Sequence, residues 1–163
     1  MTLIGVGLKF ALISIIYTAV ICVVHFLWTP YLSIPIPRVF SLIIGILLIT
    51  LGIPIYVISG LTIHKYFNQE KLATSGIYAY FRHPVYGSWI VFIVPGIVFT
   101  INSLLGLTIP FFMYSVFKIL IVDEDSYLED RFGEESYEYK KRVGEIFPKF
   151  LKLSRPKGIA SQN

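Results

Sequence analysis

Four apolar stretches, each close to the length that crosses a lipid bilayer, constrain the fold of this chain more than any other feature. They cover roughly Leu8–Trp28, Val39–Leu61, Tyr86–Ile101 and Leu104–Val122. A hydrocarbon core about 30 Å thick requires about 20 apolar residues in a helix. The hydrophobic fraction of 55% over 163 residues exceeds what a soluble domain of this size can bury. We therefore predict an all-α, polytopic membrane helix bundle of about four transmembrane helices.

The chain is predicted to form a single membrane domain over residues 1–163. Residues 1–61 would form a two-span hairpin, and residues 62–163 a catalytic core with two further spans and C-terminal helices. Three prolines within 29–37 predict an extended loop between the first two spans. Segment 62–75 is polar and amphipathic, which predicts that it lies along the membrane interface.

The C-terminal part changes character after the fourth apolar stretch, where charged and aromatic residues predominate. The spacing predicts that the fourth helix continues to about Arg131 and that the chain breaks at Phe132-Gly133. A second helix is then expected from about Glu135 to Glu145. We predict that this helical region lies in the cytoplasm and that residues 151–163 form a loose basic tail.

The distribution of lysine and arginine predicts the orientation in the membrane. With four spans, both termini and segment 62–85 share one side, and that side holds every lysine and arginine except Arg38. By the positive-inside rule the N- and C-termini are expected in the cytoplasm. The net charge of +4 then reflects topology and attraction to anionic lipid headgroups, and no nucleic-acid-binding motif accompanies it.

Two polar blocks lie where apolar stretches meet water. The first contains Gly76, Tyr78, Arg82, His83, Pro84, Tyr86 and Gly87, and the second runs from Glu124 to Pro148. A carboxylate at the end of a span is costly unless it is paired or reaches water. Glu124 and Asp125 are therefore expected either to be solvated or to bind a cationic or hydroxyl-bearing ligand. His25, His64 and His83 are far apart in sequence, so we expect no metal site.

These two blocks resemble the C-terminal signature of the isoprenylcysteine carboxyl methyltransferase family, part of a wider group that includes phospholipid methyltransferases. The first block carries the family's motif at all seven positions named above. The second carries it at Glu124, Asp125, Leu128, Phe132, Gly133, Ser136, Tyr139, Val143 and Pro148. Asp125 stands in place of a second glutamate, and Ser136 in place of a tyrosine.

The resemblance implies an S-adenosylmethionine-dependent methyltransferase whose cofactor lies between the two blocks. The residues implied in cofactor binding are Gly76, Tyr78, His83, Pro84, Tyr86, Glu124, Asp125 and Tyr139. Aromatic faces would stabilise the sulfonium, and the carboxylates would bind the amino and hydroxyl groups. Arg142, or else Arg82, would orient an acceptor carboxylate, whereas an amine or thiol acceptor would require Glu124 or His83 as the base. The lipophilic acceptor is expected to enter from the bilayer.

Several alternatives remain open on the sequence. The acceptor is a prenylcysteine carboxylate, a phospholipid amine, or a small isoprenoid or lipid-like thiol or acid. Two other classes are an NADPH-dependent membrane reductase of the sterol type and a non-enzymatic membrane scaffold. The sequence does not determine the oligomeric state.

Overall fold

The computed structural model describes residues 3–28 and 32–149. Five helices dominate these residues, and no β-strand lies within them. Their bounds are α1 Leu3–Trp28, α2 Arg38–Asn68, α3 Pro84–Ile101, α4 Thr108–Phe132 and α5 Glu134–Arg142. Short 3₁₀ turns precede α3 at Gly76–Ala79 and α4 at Leu105–Leu107. The predicted tail over 151–163, and residues 29–31 of the predicted first loop, lie outside the described residues.

Within residues 3–28 and 32–149, four segments are long and apolar enough to cross a membrane: Gly5–Trp28, Arg38–Asn68, Pro84–Ile101 and Leu105–Phe132. This confirms the predicted all-α bundle with four membrane helices. Large apolar side chains remain exposed along these helices, including Ile16, Phe40 and Phe111. Such a surface suits lipid and not water.

The second helix is longer than predicted. Residues 62–68 continue α2 without a break. The prediction that segment 62–75 lies along the membrane interface is therefore wrong for its first half. No glycine or proline interrupts this stretch, and the Thr62 hydroxyl donates to the Ile58 carbonyl within the helix. At about 1.5 Å per residue, the 31 residues of α2 exceed a bilayer core about 30 Å thick, so its end projects beyond the core.

Small residues set the close packing of α2 against α3. A Cβ atom on Gly45 would contact the Thr100 side chain and lie 2.7 Å from the Gly96 carbonyl oxygen. On the same face of α2, the Ser41 hydroxyl donates to the Phe99 carbonyl at 2.5 Å. The two backbones can approach this closely because no side chain separates them.

The helix α3 ends at Ile101, as predicted, and begins at Pro84, two residues before the predicted Tyr86. Pro84 occupies its first turn, where the missing N–H has no helical partner to lose. Its turn Ser88–Ile93 is π-helical and directly precedes the Val94-Pro95 step. The helix is capped by Asn102, whose left-handed conformation at φ 63° directs the chain into the 3₁₀ turn before α4.

The break between α4 and α5 is also confirmed, within three residues of its predicted bounds. Gly133 has φ 54° and ψ −129°, a conformation that side chains disfavour. The chain therefore turns at the end of α4, and α5 packs back against it. Leu72, Tyr139 and Val143 meet there in a small apolar cluster with Leu128 and Phe132.

Candidate functional site

The site is built on the chain that leads into α3. Phe81 pairs with Gly144 in a parallel bridge. The Arg82 amide donates to the Gly144 carbonyl at 2.8 Å, and the His83 amide donates to the Glu145 carbonyl at 3.0 Å. Segment 143–148, which follows α5, therefore holds the Arg82-His83 corner at one end of the bundle.

The Arg82 guanidinium is buried and committed to protein oxygens. Its Nη1 lies 2.8 and 2.9 Å from the two carboxylate oxygens of Asp125, and its Nε donates to the Val143 carbonyl at 3.2 Å. Its Nη2 lies 3.6 Å from Glu145 Oε1. All three nitrogens thus serve to join α4 and segment 143–148 to the start of α3.

His83 lies between the two consecutive carboxylates of α4. Its Nδ1 is 3.4 Å from Glu124 Oε1, and its Nε2 is 3.3 Å from Asp125 Oδ1. Burial lowers the pKa of His83, but the hydrogen bonds and charges of Asp125 and Glu124 outweigh burial and raise the pKa above its usual value. The two carboxylates therefore favour the cationic form of the imidazole.

Glu124 lies beside an aromatic wall. The Tyr86 hydroxyl donates to Glu124 Oε2 at 2.9 Å. The Tyr86 ring packs edge-on against Phe10, with centroids 5.0 Å apart, and 5.4 Å from Phe117. Within the described residues, His83 is the one cationic partner of Glu124. The carboxylate therefore combines negative charge, burial and neighbouring aromatic faces.

Tyr78 and Tyr139 join the 3₁₀ turn to α5. The Tyr139 hydroxyl donates to the Tyr78 carbonyl at 2.6 Å, and the Tyr78 hydroxyl lies 3.4 Å from the Ser59 carbonyl. Burial raises the pKa of both phenols, so both stay neutral. Gly76 is exposed and starts this turn. Its φ of 62° is a left-handed conformation that glycine permits.

The predicted site residues thus fall into three groups. Arg82, His83, Tyr86, Glu124 and Asp125 form one connected cluster, and Pro84 sets its edge. Gly76, Tyr78 and Tyr139 form the adjoining turn. Arg142 is not brought to the cluster, because its side chain is exposed and its Nε donates to the Glu138 carbonyl of its own helix at 3.3 Å.

Sequence reasoning missed four charged members of the site. Lys140 Nζ lies 3.3 Å from Asp125 Oδ2 and 2.7 Å from Glu129 Oε1. Lys118 Nζ lies 3.0 and 2.8 Å from the two carboxylate oxygens of Glu145. One signal was available, since Lys118 is the only charged residue in the apolar stretch 104–122 and a charge there requires a partner.

An apolar cavity lies on the other side of the same corner. Its volume is about 260 Å³, and it lies between α2, the first turns of α3 and segment 143–148. Its walls include Ile55, Pro84, Val91 and Phe147. A cavity with this lining suits a hydrocarbon chain and offers no counter-charge to an ion. Among residues 3–28 and 32–149, no group of three or more His, Cys, Asp and Glu is placed to hold a metal ion.

The family model and the curated relatives that this chain matches are all methyltransferases. The phospholipid methyltransferase family model matches residues 39–135, more than half of the chain. The human protein-S-isoprenylcysteine O-methyltransferase is 36% identical over 85 residues, which cover 52% of this chain and 30% of the human protein. The protein of the same name in Dictyostelium discoideum is 35% identical over 81 residues, which cover 50% of this chain and 34% of that protein. The alignments therefore span about a third of the length of these curated relatives.

Comparison with solved structures extends the likeness to most of the fold. The structure of a eukaryotic intramembrane Ras methyltransferase, ICMT (isoprenylcysteine carboxyl methyltransferase), superposes with a TM-score of 0.65 and 26% sequence identity. The superposition covers 85% of this chain and 52% of that one.

Proposed function

Because this chain belongs to the phospholipid methyltransferase family, we propose that it is an S-adenosylmethionine-dependent methyltransferase acting on a hydrophobic, membrane-embedded acceptor. The proposed acceptor is an isoprenylcysteine-type carboxylate, which becomes a methyl ester. The names of the relatives support this acceptor. The single observation that carries the proposal is the buried Glu124 carboxylate, which faces His83 and Tyr86 where the two motif blocks meet.

The chemistry of the donor set fits the proposed cofactor. When bound, S-adenosylmethionine supplies an electrophilic methyl group on a sulfonium cation. Glu124 provides an anionic oxygen for a cationic group, and the ring of Tyr86, whose hydroxyl donates to it, provides an electron-rich face beside it. Asp125 is less suited to contact the ligand, because Arg82, His83 and Lys140 already surround its carboxylate.

Of the two arginines able to orient the acceptor carboxylate, Arg142 is favoured over Arg82 by the hydrogen bonds that each side chain makes. Arg82 has its three nitrogens directed at Asp125, Val143 and Glu145. Arg142 has an exposed side chain and, among the residues that the structure describes, one hydrogen bond, to its own helix, so it would be able to turn toward a ligand. A carboxylate acceptor is already nucleophilic at neutral pH, so this reaction needs no general base.

The acceptor would approach from the bilayer and the cofactor from the cytoplasm. The apolar cavity between α2 and α3 supports the proposed route of the acceptor. Its lining suits an isoprenyl or acyl chain next to the Arg82-His83 corner. The proposed orientation places both termini and the polar cluster on the cytoplasmic side, in agreement with the positive-inside rule. Membrane lipids are then the surroundings of the exposed apolar helix faces.

A direct transfer assay tests the function. Purified full-length protein in lipid nanodiscs would be incubated with radiolabelled S-adenosylmethionine and, in separate reactions, a farnesylcysteine carboxylate or phosphatidylethanolamine. Label in a base-labile methyl ester of the farnesylcysteine would support the proposal. Label only in the phospholipid would replace the carboxylate by an amine acceptor, and no label in either, with no binding of the cofactor, would refute a methyltransferase.

A further inference from the structure

The two ring nitrogens of His83 each face a carboxylate oxygen, at 3.4 Å from Glu124 and 3.3 Å from Asp125. A neutral imidazole has one N–H group and one lone pair. With both carboxylates ionised, the lone pair would point at an anionic oxygen, which is unfavourable in a buried site. The geometry therefore requires one additional proton in this group of three residues, and the imidazolium is the form that satisfies both oxygens.

The charges around His83 are not evenly divided between the two carboxylates. Asp125 faces three cationic groups, on Arg82, His83 and Lys140. Glu124 shares His83 and otherwise accepts the Tyr86 hydroxyl. From segment 143–148, the Glu145 carbonyl accepts the His83 amide, and the Glu145 carboxylate faces Arg82 and Lys118. The proton on His83 therefore balances chiefly the charge of Glu124.

We propose that His83 holds a proton against Glu124 and gives it up when the sulfonium reaches this carboxylate, so that the cationic ligand displaces a proton from the site and the neutral thioether does not. The inference rests on the proposed function, since it assumes that the sulfonium lies beside Glu124. Two cations cannot share one buried carboxylate as favourably as one can. His83 is itself only 4% exposed, so little water screens the repulsion between them.

The proton balance of this exchange is simple. The N–H bond of His83 directed at Glu124 breaks, and its proton passes to the buffer. The remaining N–H stays directed at Asp125, and the sulfonium replaces the lost proton as the positive charge beside Glu124. When the site holds the neutral thioether, His83 takes one proton back from solvent. A cycle with a carboxylate acceptor therefore releases and recovers one proton, with no net change.

Calorimetry on the full-length protein in detergent tests this role without measuring activity. S-adenosylmethionine and S-adenosylhomocysteine would each be titrated at neutral pH in two buffers of different ionisation enthalpy. We expect release of about one proton per S-adenosylmethionine bound and close to none per S-adenosylhomocysteine. Equal release with both ligands would assign the effect to their common amino group and overturn the inference. Binding of S-adenosylmethionine without proton release would also overturn it, whereas absence of binding by both ligands would refute the proposed function itself.

A variant and its matched control locate the proton. His83→Gln should abolish the proton release, while His64→Gln, at an exposed histidine of α2, should leave it unchanged. Should His83→Gln fail to fold, a pH series on the wild-type protein gives the same information. The release should fall toward zero as the pH rises through the pKa of His83, which lies above its ordinary value of 6.5. A release that stays constant up to the highest pH at which the protein remains folded would contradict the role of this histidine.

Discussion

Arg82 binds Asp125 through one nitrogen, with Nη1 at 2.8 Å from Oδ1 and 2.9 Å from Oδ2, across 43 positions of sequence. Both side chains are less than a tenth exposed. The pair fixes the start of α3 against α4. The sequence neighbours of the two partners, His83 and Glu124, are thereby placed opposite each other. The geometry of the candidate cofactor site depends on this ion pair.

Replacing Asp125 should test how much the fold depends on the pair. Asp125→Asn leaves the Arg82 charge buried without its carboxylate, and breaking a buried pair in this way costs about 3–5 kcal/mol. We expect a large fall in the free energy of unfolding, measured by chemical denaturation in detergent. Asp130→Asn, at an exposed position of the same helix, is the control and should leave stability unchanged. Similar stabilities for the two variants would show that the pair does not hold α3 to α4.

The contact between α2 and α3 predicts a contrast between two glycines of one helix. Gly45→Ala places a methyl group against Thr100 and the Gly96 carbonyl, and we expect it to destabilise the bundle by about 1–3 kcal/mol. Gly60→Ala meets no atom within 4 Å and should stabilise α2 by about 0.5–1 kcal/mol. Thermal unfolding in detergent measures both, and a melting temperature for Gly45→Ala at or above the wild-type value would disprove the close packing.

Glu124 should decide cofactor affinity. Glu124→Gln keeps an oxygen that accepts the Tyr86 hydroxyl but removes the negative charge, so the Kd for S-adenosylmethionine should rise about 10- to 100-fold. Asp123→Asn changes the preceding, exposed carboxylate and should leave the Kd unchanged. Titration calorimetry provides the comparison. An equal Kd for the two variants would mean that the cation binds elsewhere.

The apolar cavity should decide the affinity for the lipid acceptor. Val91→Phe fills part of the cavity, so the KM for a farnesylated acceptor should rise about tenfold while the Kd for S-adenosylmethionine stays constant. Ile97→Phe lies on the same helix at a position 41% exposed and outside the cavity, and should change neither constant. A KM unaffected by Val91→Phe would exclude this cavity from acceptor binding.

The stability of the protein without cofactor should depend on pH through His83. The folded-state pKa of His83 is raised above its ordinary value of 6.5, so its protonation stabilises the fold fully below that value. This contribution is lost as the pH rises through the folded-state pKa. We expect the melting temperature of the wild type to fall across that range, and the slope to be smaller in His83→Gln. His64→Gln should keep the wild-type slope, and identical slopes in all three proteins would remove His83 as the cause.

Much of the fold could be read from local features of the sequence. Hydropathy located four membrane helices and Gly133 marked the break before α5, because both signals act through a residue and its nearest neighbours. The end of α2 was misplaced for the same reason. Polar residues 62–68 looked like a separate segment, yet no breaker stops the helix before Asn68.

The sequence by itself determined the membrane helices, the two polar blocks and the family they resemble. Only the tertiary structure decided which charges of those blocks meet. It joined Lys140 to Asp125 and Lys118 to Glu145, committed Arg82 to the fold, and left Arg142 exposed. The physical reason is that helix formation depends on neighbours within a turn. An ion pair instead depends on how helices far apart in sequence pack, and on burial that makes each unpaired charge costly.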